Sequence, residues 1–187
     1  MLFGGTLGAV ETANADITWT QVSSTAYAYQ SGGGFDLVDK DFSNFLSTQT
    51  ASVAGYSSAS LGAFSSSGFS MSAEAFDGGS FSVSCNHTFT VTGTLTVVLS
   101  GMGGAGGANG YSLYGPSSFS WTSVGESGAF SSGELVLQAG VYTITGLVYS
   151  SEPTGGPITL LDFAIVPAPG AIALLGVAGL VGRRRRA

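Results

Sequence analysis

The sequence predicts an all-β protein: an antiparallel β-sandwich, jelly-roll-like, followed by a short C-terminal hydrophobic helix. Three observations predict it. Gly (30), Ser (28) and Thr (17) supply about two-fifths of the 187 residues, and all three disfavour helix interiors, Gly through backbone entropy and Ser and Thr through competing local hydrogen bonds. Apolar residues reach 44 % and aromatics 11 %, enough for a core and an argument against a disordered chain. Between residues 16 and 166 the hydrophobic period is two, punctuated by Gly, which marks half-buried strands.

The clearest strand begins at Phe81. Phe81, Val83, Cys85, His87, Phe89 and Val91 alternate with Ser82, Ser84, Asn86, Thr88, Thr90 and Thr92. Gly93 breaks the run, and 94–100 resumes it through Leu95, Val97 and Leu99. Later strands are expected at 134–138, 141–149 and 158–166, with Ala139-Gly140 turning a hairpin between the first two. Earlier ones are expected at 17–22, 26–30, 51–56, 60–64 and 69–76. Residues 35–49 suit a short helix as the alternative, since Val38, Phe42, Phe45 and Leu46 recur at helical spacing. The Gly-rich stretch 101–110 reads as a flexible loop. No Gly-Lys-Ser/Thr follows it, so it is no phosphate cradle. Eight or more short strands with regular turn signals point to a sandwich.

Charge is scarce. Lys40 is the one cation among residues 1–182, which with eleven acids carry a formal charge of −10. Nucleic-acid binding needs Lys and Arg against phosphates, so a nucleic-acid partner is not expected. The single cysteine excludes an internal disulfide.

Few residues suggest chemistry in the body of the chain, which is read as non-enzymatic, without catalytic or cofactor-binding residues. His87 is the one histidine a Ser-His-Asp triad would need, but its inward strand parity suits a satisfied core histidine. Cys85 and His87 share a face about 7 Å apart along the strand. No second Cys or His exists to complete a zinc site with them. Asp36, Asp39 and Asp41 around Lys40 read as a solvated loop, with a calcium ion as the alternative occupant. A glycosidase pair would have to come from Glu74, Asp77, Glu126, Glu134 and Glu152. The glycosylation sequon Asn86-His87-Thr88 falls inside a strand and reads as incidental. Thr-x-Thr pairs at 18/20, 90/92, 94/96 and 143/145 suit outward strand positions, or ice if they share one flat face. Trp19, Trp121, Tyr111 and Tyr114 serve equally as sugar-stacking platforms or as core.

The two ends carry the strongest signals. In residues 1–15 an apolar stretch leads to Ala13-Asn14-Ala15, the small-x-small pattern before a secretory cleavage site, and the missing basic start suggests a truncated signal-peptide remnant. Residues 16–165 form the exported domain. Residues 166–187 hold Val166, Pro167, Ala168 and Pro169, then Gly170, Ala171, Ile172, Ala173, Leu174, Leu175, Gly176, Val177, Ala178, Gly179, Leu180, Val181 and Gly182, then Arg183, Arg184, Arg185 and Arg186. As a helix the apolar segment spans about 20 Å against a hydrocarbon core of about 30 Å, a short span that snorkelling arginines extend. Arginines stay on the cytoplasmic side, which places the 16–165 domain outside.

The order of proline motif, apolar segment and arginine cluster resembles the PEP-CTERM sorting signal of Gram-negative and related bacteria, a tail also labelled after ice-binding proteins. The resemblance implies export through the secretion machinery, transient retention in the inner membrane, and processing by an exosortase near the proline motif. The family's usual Glu between the prolines is Ala168 here. That departure from the family's pattern points to a variant processing enzyme. The expected function is that of an exported cell-surface or extracellular-matrix protein, glycan-binding or adhesive, with extracellular polysaccharide as partner. A secreted hydrolase and a plain structural matrix component are the alternatives.

Overall fold

The computed structural model describes residues 16–41, 43–65, 67–103, 108–124 and 128–166. The leader expected in 1–15, Glu126, and the apolar helix and arginines expected in 170–186 lie outside them, as do the two prolines of the sorting motif. The described residues hold thirteen strands in two antiparallel sheets, and no helix. In the first sheet the spatial order is β2 (Phe35–Lys40), β1 (Ile17–Gln30), β6 (Gly79–Val91), β12 (Gly140–Ser150), β8 (Ala108–Tyr114) and β9 (Phe119–Val124). In the second it is β10 (Ala129–Ser131), β7 (Leu95–Met102), β13 (Ile158–Val166), β5 (Gly68–Ala75), β4 (Ser57–Leu61) and β3 (Gln49–Val53), with β11 (Leu135–Leu137) also on β7.

Strand β6 organises the first sheet. It pairs along nearly its whole length with β1 on one side and β12 on the other, and its alternation survives intact. Phe81, Val83, Cys85, His87, Phe89 and Val91 are buried, while the residues between them face outward. The second sheet answers with Leu61, Phe69, Met71, Leu99, Leu161 and Phe163 in the same core. Burying each such Leu or Phe contributes roughly 1.5–3 kcal/mol. The sheets also meet at their edges. Ser52 N–H on β3 donates to Asp36 Oδ2 on β2 at 2.9 Å, and at the opposite edge Trp121 stacks on Phe130 at 4.6 Å.

Four expectations change. The strands expected at 17–22 and 26–30 are one strand, because an irregularity between Trp19 and Gln21 inserts Thr20. Such a bulge shifts the pleat by one residue, so the inward set passes from Ile17 and Trp19 to Val22, Ser24, Ala26 and Ala28. The helix alternative for 35–49 is overturned: the segment is β2 followed by turns in which Asp41 Oδ1 accepts bonds from the backbone N–H and hydroxyl of Ser43. The hairpin at Ala139-Gly140 is overturned too. β11 joins the second sheet and β12 the first, so the chain crosses between sheets there. Leu137 and Tyr142 are both buried in the shared core, and the Tyr142 hydroxyl holds the crossing by donating to the Gln138 carbonyl at 3.0 Å. Lastly, the 101–110 stretch is partly strand: residues 101–102 end β7 and 108–110 begin β8.

Gly146 on β12 is the one position in that strand where the core requires glycine. A Cβ there would run into the ring of Tyr111 on β8, itself fully buried. Gly146→Ala is expected to lower the unfolding free energy by about 1–3 kcal/mol through overpacking, read from the urea midpoint at unchanged slope.

Candidate functional site

The outer face of the first sheet follows from the same alternation. With Val22, Ala26 and Ala28 turned inward, β1 turns Ser23, Thr25, Tyr27 and Tyr29 outward. The pairing places Ser23, Asn86 and Thr145 in one row, Thr25, Ser84 and Leu147 in the next, and Tyr27, Ser82 and Tyr149 in a third. Tyr29 then sits beside Ser80. The face is dominated by hydroxyls, and Asp39 is its one charge among the described residues.

At the Tyr29 end the face sinks into a groove of about 700 Å³. Ser80 and Ser82 of β6 form its floor, Tyr29 of β1 and Tyr149 of β12 its walls, and Gln30 and Ser31 part of its rim. The wall strands lie two inter-strand spacings apart, about 10 Å, and the two tyrosines are offset by one outward position, Tyr29 beside Ser80 and Tyr149 beside Ser82. Tyr29 is braced by Tyr27, stacked on it at 5.8 Å with an interplanar angle of 11°. Aromatic faces beside small hydroxyls provide apolar contact for the C–H faces of a pyranose and hydrogen bonds for its edge.

Of the four aromatic residues singled out in the sequence, three are core. Trp19 precedes the bulge, points inward, and meets Phe64 and Phe69 edge-on at 4.7 and 5.6 Å. Tyr111 and Trp121 face each other across β8 and β9 on the inner side, stacked at 6.4 Å. Tyr114 is 59 % exposed, but it pairs with Thr143, in the row of Thr88, about 20 Å along β6 from the groove floor. Sequence reasoning missed Tyr27, Tyr29 and Tyr149. The usable signal was the Ala26-Tyr27-Ala28-Tyr29 alternation, in which small residues fill the inner face and tyrosines are displaced outward.

His87 and Cys85 are core, as expected. His87 is 0 % exposed; its Nδ1 accepts from the Ser23 N–H at 3.2 Å, so Nε2 carries the hydrogen and donates to Ser24 Oγ at 2.9 Å. A histidine activating a serine needs the reverse, a bare Nε2 toward the hydroxyl. The Ser24–His87 pair is therefore not a base and nucleophile. Burial, then the charge of Lys40, pulls the imidazole pKa down to about 3. Burial pushes the Cys85 thiol up to about 12, which keeps it unreactive.

Asp39 and Asp41 are exposed to solvent, but Asp36 to Lys40 is strand rather than loop, and Lys40 is buried. It is 2 % exposed, and its ammonium donates to the carbonyls of Asn44 at 3.2 Å, Phe45 at 3.4 Å and Ser47, while sitting 5.9 Å from the centroid of Phe64. Burial lowers its pKa. It ties together three carbonyls of the turn after β2, two of which also accept backbone bonds, Asn44 from Ser47 N–H and Phe45 from Phe64 N–H. The acids around it do not converge: Asp36 bonds across the sheet edge, Asp39 accepts from Thr25 Oγ1 on the opposite face of β2, and Asp41 serves its own turn. Among the described residues no group of three or more His, Cys, Asp or Glu is placed to hold a metal ion. The glycosidase candidates are likewise dispersed. Glu74 lies on the outer face of β5, accepting from Ser58 Oγ at 3.3 Å; Asp77 sits in the turn before β6, Glu134 before β11 and Glu152 after β12.

Comparison with protein-family models, curated proteins and solved structures finds no match.

The buried imidazole sets a pH response. Its folded pKa lies below the ordinary 6.5, so the unfolded chain binds the extra proton and stability falls as pH drops below 6.5. Between pH 6.5 and 4.5, above most carboxylate titrations, the unfolding free energy is expected to fall by about 1.4 kcal/mol per pH unit, approaching that slope toward pH 4.5. Urea unfolding across that range checks it, and His87→Gln is expected to flatten the dependence.

Proposed function

We propose that the protein is an exported, non-enzymatic glycan-binding module acting at the cell surface or in the extracellular matrix. In this reading the sandwich is jelly-roll-like and its C-terminal apolar helix is a temporary anchor. The apolar segment 170–182 holds the protein in the inner membrane and Arg183 to Arg186 orient it. The motif Val166 to Pro169 then presents the bond that an exosortase-type enzyme cuts. The order of those elements in the sequence supports export and sorting.

The observation that carries the binding half is the tyrosine-walled groove on a hydroxyl-rich, nearly uncharged sheet face. Neutral sugars offer no charge to an ion-pairing site, and a face made of aromatic rings and hydroxyls complements them. The low Lys content and the acidic body suit an exterior surface.

Titration with the host's own extracellular polysaccharide tests the reading. Saturable binding is expected, and Tyr29→Ala and Tyr149→Ala are each expected to weaken it about 2- to 12-fold, the equivalent of 0.5–1.5 kcal/mol per stacked ring. Tyr114→Ala, outside the groove, leaves the affinity unchanged. Binding that never saturates points instead to a plain structural matrix component. For the sorting half, intact mass of the protein recovered from its host is expected to lack the arginines; a soluble cytosolic product that retains them overturns export.

A further inference from the structure

We propose that the groove takes an electrically neutral polysaccharide threaded along β6, and that Asp77 and Glu152 beside its rim turn away polyanionic ones. The proposal deepens, and rests on, the glycan-binding reading of the same groove.

The threading direction follows from where the large and small side chains lie. Tyr29 and Tyr149 stand on strands to either side of β6, with only Ser80 and Ser82 between them. A polymer crossing the strands would have to climb both rings. One running along β6 passes between them, with Tyr29 beside Ser80 on one side and Tyr149 beside Ser82 on the other. Beyond the walls the floor continues on the same outward parity through Ser84, Asn86 and Thr88. Ser84 is flanked by Thr25 and Leu147, and Asn86 by Ser23 and Thr145. Outward residues of one strand repeat every 6.6–6.8 Å or so, so a chain leaving the groove meets a hydroxyl or amide at regular intervals. The track extends well past a single disaccharide.

The charge selectivity follows from the rim. All nine groove-lining residues are uncharged. Asp77 directly precedes the lining residue Gly78, Glu152 directly follows the lining residue Ser151, and both are exposed. Among the described residues Lys40 is the one cation, and it is turned into the protein onto backbone carbonyls. A uronate polymer thus approaches carboxylates with no cation on this face to answer them. Exposed charges of one sign repel within a Debye length of about 8 Å at physiological salt, and added salt removes the effect.

The test uses the folded domain with its own residues 16–166 present in the full chain. Its probes are a panel of neutral gluco-, galacto- and manno-oligosaccharides from disaccharide to hexasaccharide, with the matching oligouronates, at low and high salt. The neutral member that binds best is expected to gain at least about fivefold in affinity from disaccharide to hexasaccharide, and its uronate counterpart to bind at least about tenfold more weakly at low salt. The double substitution D77N/E152Q is expected to bring the uronate to within about threefold of the neutral chain while leaving the neutral affinity in place. A uronate that binds wild type as tightly as its neutral counterpart overturns the proposal, as does an affinity already complete at the disaccharide. Either result leaves glycan binding standing. Failure of every oligosaccharide to bind overturns the glycan-binding reading and the proposal with it.

Discussion

The in-and-out alternation of β6 is the constraint on which the remaining structure depends. The strand is central in its sheet, so its partners on both sides are locked to its pleat. A slip of one residue would send Phe81, Val83, Phe89 and Val91 into solvent and bring Ser82, Ser84 and Thr90 into the core. Register is specified most strongly where one face is apolar, and the groove floor on the other face inherits that specification at no separate cost. The two serines lie between the two tyrosines because Phe81 and Val83 on the other face have one place to go.

The bulge at Thr20 matters for the same reason. Without the extra residue, β1 could not present Trp19 to the aromatic cluster at one end and Ala26 and Ala28 to the core at the other. Tyr27 and Tyr29 are outward because those alanines are inward. His87 and Lys40 secure this arrangement from within. The imidazole joins Ser23 and Ser24 on β1 to the middle of β6, and the ammonium gathers the turn after β2. Each is a polar group whose burial is offset by the hydrogen bonds it makes. Neither is arranged for chemistry.

Much of the fold was legible in the sequence, and the reasons for the gaps are physical. Strands with bulky apolar residues alternating against Ser and Thr, such as β6, β7 and β13, can be read directly, because the period-two signal is carried by side chains of opposite character. Strands such as β1 and β4 are harder: Ala, Ser and Tyr alternate there, and neither parity is plainly the apolar one. The crossing at Ala139-Gly140 looked like a hairpin because local turn chemistry does not say whether the next strand returns to the same sheet. Lys40 defeated the sequence reading because a lone cation among aspartates suggests solvent. Only the carbonyls gathered by the following turn make its burial tolerable. The outward tyrosines of the first sheet were not singled out in the sequence. Trp19, Tyr111 and Trp121 are the larger or more conspicuous rings and are for that reason the ones the core takes.

The central claim is that the protein binds its ligand between Tyr29 and Tyr149 on the outer face of the first sheet. Backbone and tyrosine-ring resonances followed by NMR during titration with a binding oligosaccharide test it most directly. The account predicts perturbations centred on Tyr29, Ser80, Ser82 and Tyr149 and fading along β6 toward Thr88. Perturbations centred on Tyr114, on the second sheet, or on the apolar end near Trp19 and Leu46 would contradict it.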